Sequence, residues 1–333
     1  MSTRSRMSIF SGSKFVFLLL GVHSLLWVVI PTLVQPNANL DVVEGLVWGQ
    51  ELQWGYDKHP FLTPWLTYLF SLLSGGTNWP VFLVSQLCVV TTVLMSWRLA
   101  LEYLERRCAA LSALLLLLIP YFNYVTPEFN PNILQLPLWA AVILSAYFAL
   151  QRRSLGYWLL LGVFAGLALS TKYYAVVLLV SILGVLLLPA RWWVWRTAGP
   201  YLALLATLLV WGPNLFWLIE HEWVTVSYGV ARGGDSASLA SHLIHPLKFV
   251  LSQVAVLVPL VLVVSYARRT GETNGLNTVK RSLLPQSDRA FLWAVTAGPL
   301  LVTLLLSLVT GMKLRSMWGT PLLTFMPLAL WVF

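Results

Sequence analysis

Ten apolar stretches, at about 14–34, 79–100, 108–122, 132–150, 155–171, 173–189, 198–219, 246–266, 290–310 and 317–333, divide the chain. Most are near the roughly 20 residues that a helix needs to cross the hydrocarbon of a bilayer. The pattern predicts an all-α polytopic membrane protein, a single domain over 1–333 with about ten transmembrane helices. Polar residues collect in two outer segments, 35–78 and 220–245, and in one inner loop, 267–289, whose Gly271, Asn274, Gly275 and Asn277 read as a flexible connector. Gly162 and Gly166 make a small-xxx-small pair, which predicts close helix packing in the fifth span. The last apolar stretch reaches Phe333 without a hydrophilic tail, so the chain either stops in the membrane or is missing a C-terminal part.

Composition agrees with a bilayer: 58% of the residues are apolar, 10% are charged, and the mean hydropathy is +0.77. Basic residues sort into alternate loops, with Arg4/Arg6/Lys14, Arg106/Arg107, Arg152/Arg153, Arg191/Arg196 and Arg268/Arg269/Lys280/Arg281/Arg289 on one side. Because cytoplasmic loops hold the excess of Lys and Arg, this side is inside and the N-terminus is cytoplasmic. The net charge of +9 is then a topology signal and gives no reason to expect a nucleic-acid partner. Eight of the twelve acids, Asp41, Glu44, Glu51, Asp57, Glu128, Glu220, Glu222 and Asp235, fall on the opposite side. Cys88 and Cys108 lie in or beside apolar helices, which excludes a disulfide framework. Trp27, Trp79, Trp192, Trp193, Trp211 and Trp318 fall near span ends, where an interfacial belt is the favoured reading over ligand stacking.

The first outer segment carries the strongest chemical pattern. Residues 41–56 read as an amphipathic helix lying on the membrane, with Asp41, Glu44, Trp48 and Glu51 on one face and Val42, Val43, Leu46, Val47 and Trp54 largely opposite. It runs into Tyr56-Asp57-Lys58-His59-Pro60, a turn with two potential cations beside an X-Pro bond. A carboxylate there can deprotonate an acceptor hydroxyl while Lys, Arg or His stabilises charge on a departing phosphate. The competing reading makes Asp41 and Glu44 a capping-box-like helix start, with Lys58 pairing an exposed acid.

Further polar residues on the same side favour the chemical reading. Glu128, Asn130 and Asn132 are interleaved with Pro127 and Pro131 just before the fourth span, and Lys172 ends an almost uninterrupted apolar helix beside Tyr173 and Tyr174. His221, Arg232, Lys248, Lys313 and Arg315 complete the outer cations. His242 and His245 read as loop residues, without the carboxylate spacing of a metal site. No cofactor is required, and a divalent ion, though compatible with the acids, is demanded by no ligand spacing.

Four segments resemble the bacterial relatives of the dolichyl-phosphate-mannose protein mannosyltransferases, glycosyltransferase family 39, which include lipid A aminoarabinose transferases. They are LDVVEGLVWGQELQWGYDKHPFLTPWL, TPEFNPNILQLPLWA, GLALSTKYYAVVLL and GPNLFWLIEHEWVTVSYGVAR, with a weaker echo in GMKLRSMWGTP. The resemblance implies a GT-C fold whose first extracytoplasmic loop bears the catalytic carboxylate. On that basis Asp41 is the general base, and Lys58, His59 and Lys172 hold the donor phosphate, with Arg232, Lys313 and Arg315 as further candidates. Glu44, Glu128 and Asn130 bind sugar or acceptor, and His221 with Trp223 shapes the pocket. Two departures stand out: the family's Asp-Glu pair reads Asp41-Val42, and its double proline reads Pro60-Phe61.

The expected function is transfer of a sugar, with inversion, from a polyprenyl-phosphate-linked donor to a lipid or protein glycan acceptor outside the bacterial inner membrane. A transporter or flippase of a lipid-linked sugar is the alternative; it calls for ionisable residues near mid-membrane, whereas here they crowd one face.

Overall fold

The computed structural model describes residues 13–73, 77–234, 238–270 and 285–333. Asp235, the flexible-connector residues 271–277 and the basic residues Arg4, Arg6, Lys280 and Arg281 lie outside them, as does the side chain of Arg268. Six described helices are long and apolar enough to span a bilayer: α1 (Ser13–Val34), α4 (Trp79–Tyr103), α6 (Pro131–Arg152), α9 (Gly199–Glu220), α11 (Ser241–Arg269) and α12 (Gln286–Thr310). Two short helices, α2 (Leu40–Glu51) and α3 (Leu62–Ser71), separate α1 from α4.

The other four apolar stretches are shorter or broken among the described residues. After α5 (Arg106–Leu114) the chain tightens into a 3-10 turn at Leu115–Leu118, and α7 (Leu155–Leu169) has 15 residues. The segment Tyr173–Leu186, which contains α8 (Val176–Leu186), bends by 99° into the 3-10 helix Pro189–Arg196. The final stretch is two 3-10 turns, Ser316–Gly319 and Pro321–Leu323, followed by α13 (Met326–Val332). Prolines explain several breaks, because a proline disfavours helix in the residue before it. Ile119 and Leu188, before Pro120 and Pro189, are both extended.

The centre of the bundle is α6, whose residues from Pro131 to Leu150 are nearly all buried, between α4 and α7. A helix apolar all round belongs in a core, and its polar Gln135 is satisfied by donating from Nε2 to the Ala168 carbonyl at 2.7 Å. By contrast α1 and α11 leave most of their Leu and Val outward, as lipid-facing helices do. Where α7 meets α9, the predicted glycine pair does pack closely: a Cβ on Gly166 would lie 2.6 Å from Val210 Cβ, and one on Gly162 would collide with the Ala203 carbonyl.

The two ends of the bundle differ in chemistry. At one end, Gln151 Nε2 donates to Asp288 Oδ1 at 2.5 Å, Tyr103 donates to the Asp288 carbonyl at 3.2 Å, and the Arg153 guanidinium lies 4.4 Å from the Trp193 ring centre. At the other end, the α2–α3 segment, the start of α6, the break after α7 and the residues following α9 and α12 surround a cavity.

Candidate functional site

The first wall of the cavity is α2. Its N-cap is Asn39, whose side chain makes no capping bond, so Asp41 sits one residue inside the helix. The capping-box reading of Asp41 therefore fails: its carboxylate lines the cavity, where the partial positive charge of the helix start favours an anion. The buried face of α2 is Val42, Gly45 and Gly49, while Val43 and Val47 stay exposed. Glycine is required on that face because a Cβ on Gly45 would lie 2.9 Å from Thr67 Oγ1 of α3, and one on Gly49 would strike the Pro64 carbonyl.

The cationic turn is pinned from several sides. Tyr56 N–H donates to the His59 carbonyl at 3.0 Å, and Trp48 stacks on Tyr56 with ring centres 5.5 Å apart. Thr225 Oγ1 donates to the Tyr56 carbonyl at 2.6 Å, and Asn214 Nδ2 donates to the Trp54 carbonyl at 2.7 Å. Leu62 N–H donates to the Ser170 carbonyl at 3.0 Å, which ties the turn to the end of α7. Together these bonds hold Lys58 and His59 over the cavity, between α2 and the helix α10 (Val224–Arg232).

The cavity measures about 500 Å³. Eight of the residues singled out in the sequence line it: Asp41, Glu44, Lys58, His59, Lys172, Trp223, Arg232 and Arg315. Most of its remaining wall is apolar or aromatic, with Leu169, Trp211, Leu218, Val226, Met312 and Trp318. Trp211 and Trp318 thus face a cavity, where an interfacial belt was expected.

Four candidates do not line it. Asn130 caps α6, its Oδ1 accepting from Asn132 N–H at 2.9 Å and Ile133 N–H at 3.3 Å, while its side chain also reaches the Asp41 carboxylate. Glu128 lies behind Asp41, close enough for the Asp41 charge and backbone to act on its carboxyl. His221 ends α9 stacked on Trp217, ring centres 4.0 Å apart, with Nδ1 2.8 Å from the Trp217 carbonyl. Lys313 is exposed and donates its N–H to the Gly233 carbonyl at 2.9 Å. His242 and His245, read as loop residues, belong to α11, their Nδ1 atoms 2.7 and 2.8 Å from the Leu308 and Gly311 carbonyls.

Cations outnumber acids in the lining. Lys58 is ion-paired with Glu44, and its Nζ lies 5.9 Å from the ring centres of both Trp48 and Tyr228. Lys172 donates to Asn132 Oδ1 at 2.6 Å and lies 5.2 Å from the Trp318 ring centre. Arg232 donates to the Tyr228 hydroxyl at 2.8 Å. Arg315 has a buried Nε that makes no hydrogen bond. Lys172, Arg232 and Arg315 form no ion pair with a described residue, which leaves positive charge for an anionic ligand.

Burial and neighbouring charge shift the titrations. Burial, with the Glu44 charge beside it, holds the Asp41 carboxyl above its ordinary value, against the opposing influence of Asn130, Lys58 and Lys172. Burial, then the Asp41 charge, also raises Glu128. Lys172, in the break after α7, is pulled down to about 7 by desolvation, which the Asp41 charge partly offsets. It presents some surface to the cavity yet sits deep in the protein, so the direction follows from its position. His59 is pushed down to about 3 by burial and then by the charges of Lys172, Lys58 and Arg232. It is therefore neutral at ordinary pH, where the sequence suggested a cation. Among the described residues no group of three or more His, Cys, Asp or Glu converges as a metal site.

Asn132, Tyr228, Thr225 and Trp318 also line the cavity without having been singled out as site residues. Asn132 carried a signal, since it follows Pro131 in the polar stretch with Glu128 and Asn130; Tyr228 on α10 carried none.

The profile of the dolichyl-phosphate-mannose-protein mannosyltransferase family matches residues 58–217. The matched stretch, just under half of the chain, is similar to that family. The matched region includes the cationic turn, Asn130 and Lys172, while the helix bearing Asp41 precedes it. The lipid A galacturonosyltransferase RgtD of Rhizobium johnstonii is 28% identical over 229 residues, 67% of this chain and 47% of the relative. Among solved structures, ArnT from Cupriavidus metallidurans in the apo state superposes with a TM-score of 0.65 at 15% identity, over 95% of this chain and 59% of that one. The same protein bound to undecaprenyl phosphate gives a TM-score of 0.63 at 13% identity, over 96% of this chain and 60% of that one. The GT-C bundle expected from the resemblance is the observed fold. The chain spans about half the length of the curated relative and about three fifths of ArnT.

Proposed function

We propose that this chain is an integral-membrane glycosyltransferase that moves a sugar from a polyprenyl-phosphate donor to an acceptor on the outer side of a bacterial inner membrane. The observation that carries the reading is the placement of Asp41 in the same cavity as Lys58, Lys172, Arg232 and Arg315. The acceptor oxygen attacks the anomeric carbon, the bond from that carbon to the phosphate oxygen breaks, and the acceptor proton passes to Asp41. Its raised pKa makes Asp41 a stronger base than a solvated carboxylate. The departing polyprenyl phosphate gains negative charge, which the cations stabilise in a partly desolvated site. One displacement gives inversion at the sugar carbon.

The apolar wall suits the isoprenoid of the donor, and the cavity lies at the end opposite the described basic clusters, consistent with an extracytoplasmic site and a cytoplasmic N-terminus. The similarity to a lipid A galacturonosyltransferase supports a lipid A or related envelope glycan as acceptor. Glu44 and Trp223 contact the sugar or acceptor, and Glu128 and Asn130 act from behind Asp41. Comparative glycolipid mass spectrometry of cells with and without the gene tests the proposal. It predicts one added sugar mass on one envelope lipid that vanishes on deletion and stays absent with Asp41→Asn; unchanged glycolipids and glycoproteins would refute it.

A further inference from the structure

Inside the bundle, beside the cavity, three segments far apart in sequence share one polar knot. Tyr121, in the 3-10 turn Pro120–Phe122, places its hydroxyl 2.6 Å from the Ser316 carbonyl and 3.2 Å from Gln253 Oε1 of α11. A phenol has one proton, so the shorter contact takes it. The same Ser316 carbonyl accepts a second bond, from Gln253 Nε2 at 3.1 Å. Tyr121 is 5% exposed and Gln253 4%, so both donors are buried side chains that reach the carbonyl of the exposed Ser316. Gly319 closes the knot: a Cβ there would overlap the Gln253 amide.

The knot grips a segment that lines the cavity. Ser316 lies between Arg315 and Met317, and two residues before Trp318, all three of which face the cavity. Arg315 is extended and the 3-10 turn starts immediately after it. Holding the Ser316 carbonyl from two directions fixes the Ser316–Met317 peptide plane, one peptide unit beyond the Arg315 Cα, and so restrains the backbone that carries the Arg315 side chain. Arg315 needs this support, since its buried Nε makes no hydrogen bond and it forms no ion pair with a described residue.

We propose that Tyr121 and Gln253 are positioning residues that aim Arg315 at the anionic group of the polyprenyl-phosphate ligand. The inference rests on the reading of Arg315 as a phosphate contact, and it adds a distant pair of neutral side chains to the binding machinery. Orientation matters because a guanidinium recognises phosphate through a planar fork of donors, so tilting it loses bonds while keeping the charge.

The test is a double-mutant cycle on the full chain in nanodiscs, with undecaprenyl phosphate as probe, affinity followed by titration and melting temperature recorded alongside. Arg315→Ala is expected to weaken binding about tenfold, the scale of a charge-assisted hydrogen bond. Tyr121→Phe is expected to weaken it about threefold or more, with a fall in melting temperature no larger than one lost hydrogen bond gives, and to add nothing in the Arg315→Ala background. Gly319→Ala, which displaces the Gln253 amide, is expected to behave like Tyr121→Phe and serves as the second variant if that protein does not fold. If Arg315→Ala weakens binding while Tyr121→Phe and Gly319→Ala do not, or if their effects add to it, the positioning role is wrong and the phosphate contact stands. If Arg315→Ala binds as tightly as the parent, the phosphate contact itself fails and the positioning role falls with it.

Discussion

Lys172 donates from Nζ to Asn132 Oδ1 at 2.6 Å, deep in the cavity that also holds Asp41. A neutral amide partner leaves the ammonium its full charge for a ligand but does little to offset its desolvation, and the pKa falls to about 7. Asp41 moves the other way, upward. The base must be ionised, so kcat/KM rises with pH through the Asp41 value; the phosphate contact must be protonated, so it falls again near pH 7. A pH profile of kcat/KM, which reports the free enzyme, is expected to be bell-shaped. Lys172→Arg keeps its charge at every accessible pH and is expected to move the basic limb upward, whatever it costs in absolute rate.

Glu44 both pairs with Lys58 and raises Asp41. Glu44→Gln removes a negative charge beside Asp41, so the Asp41 pKa falls and the acid limb of the profile shifts to lower pH. The same change frees Lys58, which is expected to tighten undecaprenyl phosphate binding in a titration at low salt.

Asn130 does two jobs that can be separated. Asn130→Ser retains an N-cap oxygen for α6 but is too short to reach Asp41, so the melting temperature is expected to hold while the rate drops about tenfold or more, within the range for a misplaced base. Asn130→Ala also removes the cap and is expected to cost about 1 kcal/mol of stability in a denaturation experiment.

The sequence made the bundle legible because apolar runs of span length survive any detail of packing, and the pairing of an acidic helix with a cationic turn is local. Lys172, Arg232 and Arg315 could be named because charge is rare in so apolar a chain. Their convergence could not be read, since it depends on α10 folding back so that Thr225 bonds the Tyr56 carbonyl, 169 residues away. The same fold places Tyr228 against Lys58, and an aromatic residue in a Trp- and Tyr-rich chain carries no mark of that. That His221 and Lys313 do not line the cavity could not be read either, because a polar residue beside the site looks the same in sequence as one within it; His221 turns to the Trp217 carbonyl and Lys313 to the surface. The broken spans were hidden by their apolar composition, although Pro120, Pro189 and Pro321 marked the places.

Gly166 lets α7, whose end leads to Lys172, approach α9 closely. Gly166→Leu inserts a branched side chain where a Cβ already meets Val210, and overpacking of this kind costs about 1–3 kcal/mol. A lower melting temperature in detergent is expected, together with a higher KM for donor. Gly184, which has open space around its missing Cβ, is expected to accept Ala without either change.

The most direct measurement is turnover by Asp41→Asn in membranes supplied with a polyprenyl-phosphate sugar and acceptor, beside its affinity for undecaprenyl phosphate. Loss of a general base predicts a fall of about a hundredfold or more in kcat, with donor affinity retained because Lys58, Lys172, Arg232 and Arg315 remain in place. Turnover near that of the parent protein would contradict the assignment of Asp41 as the base.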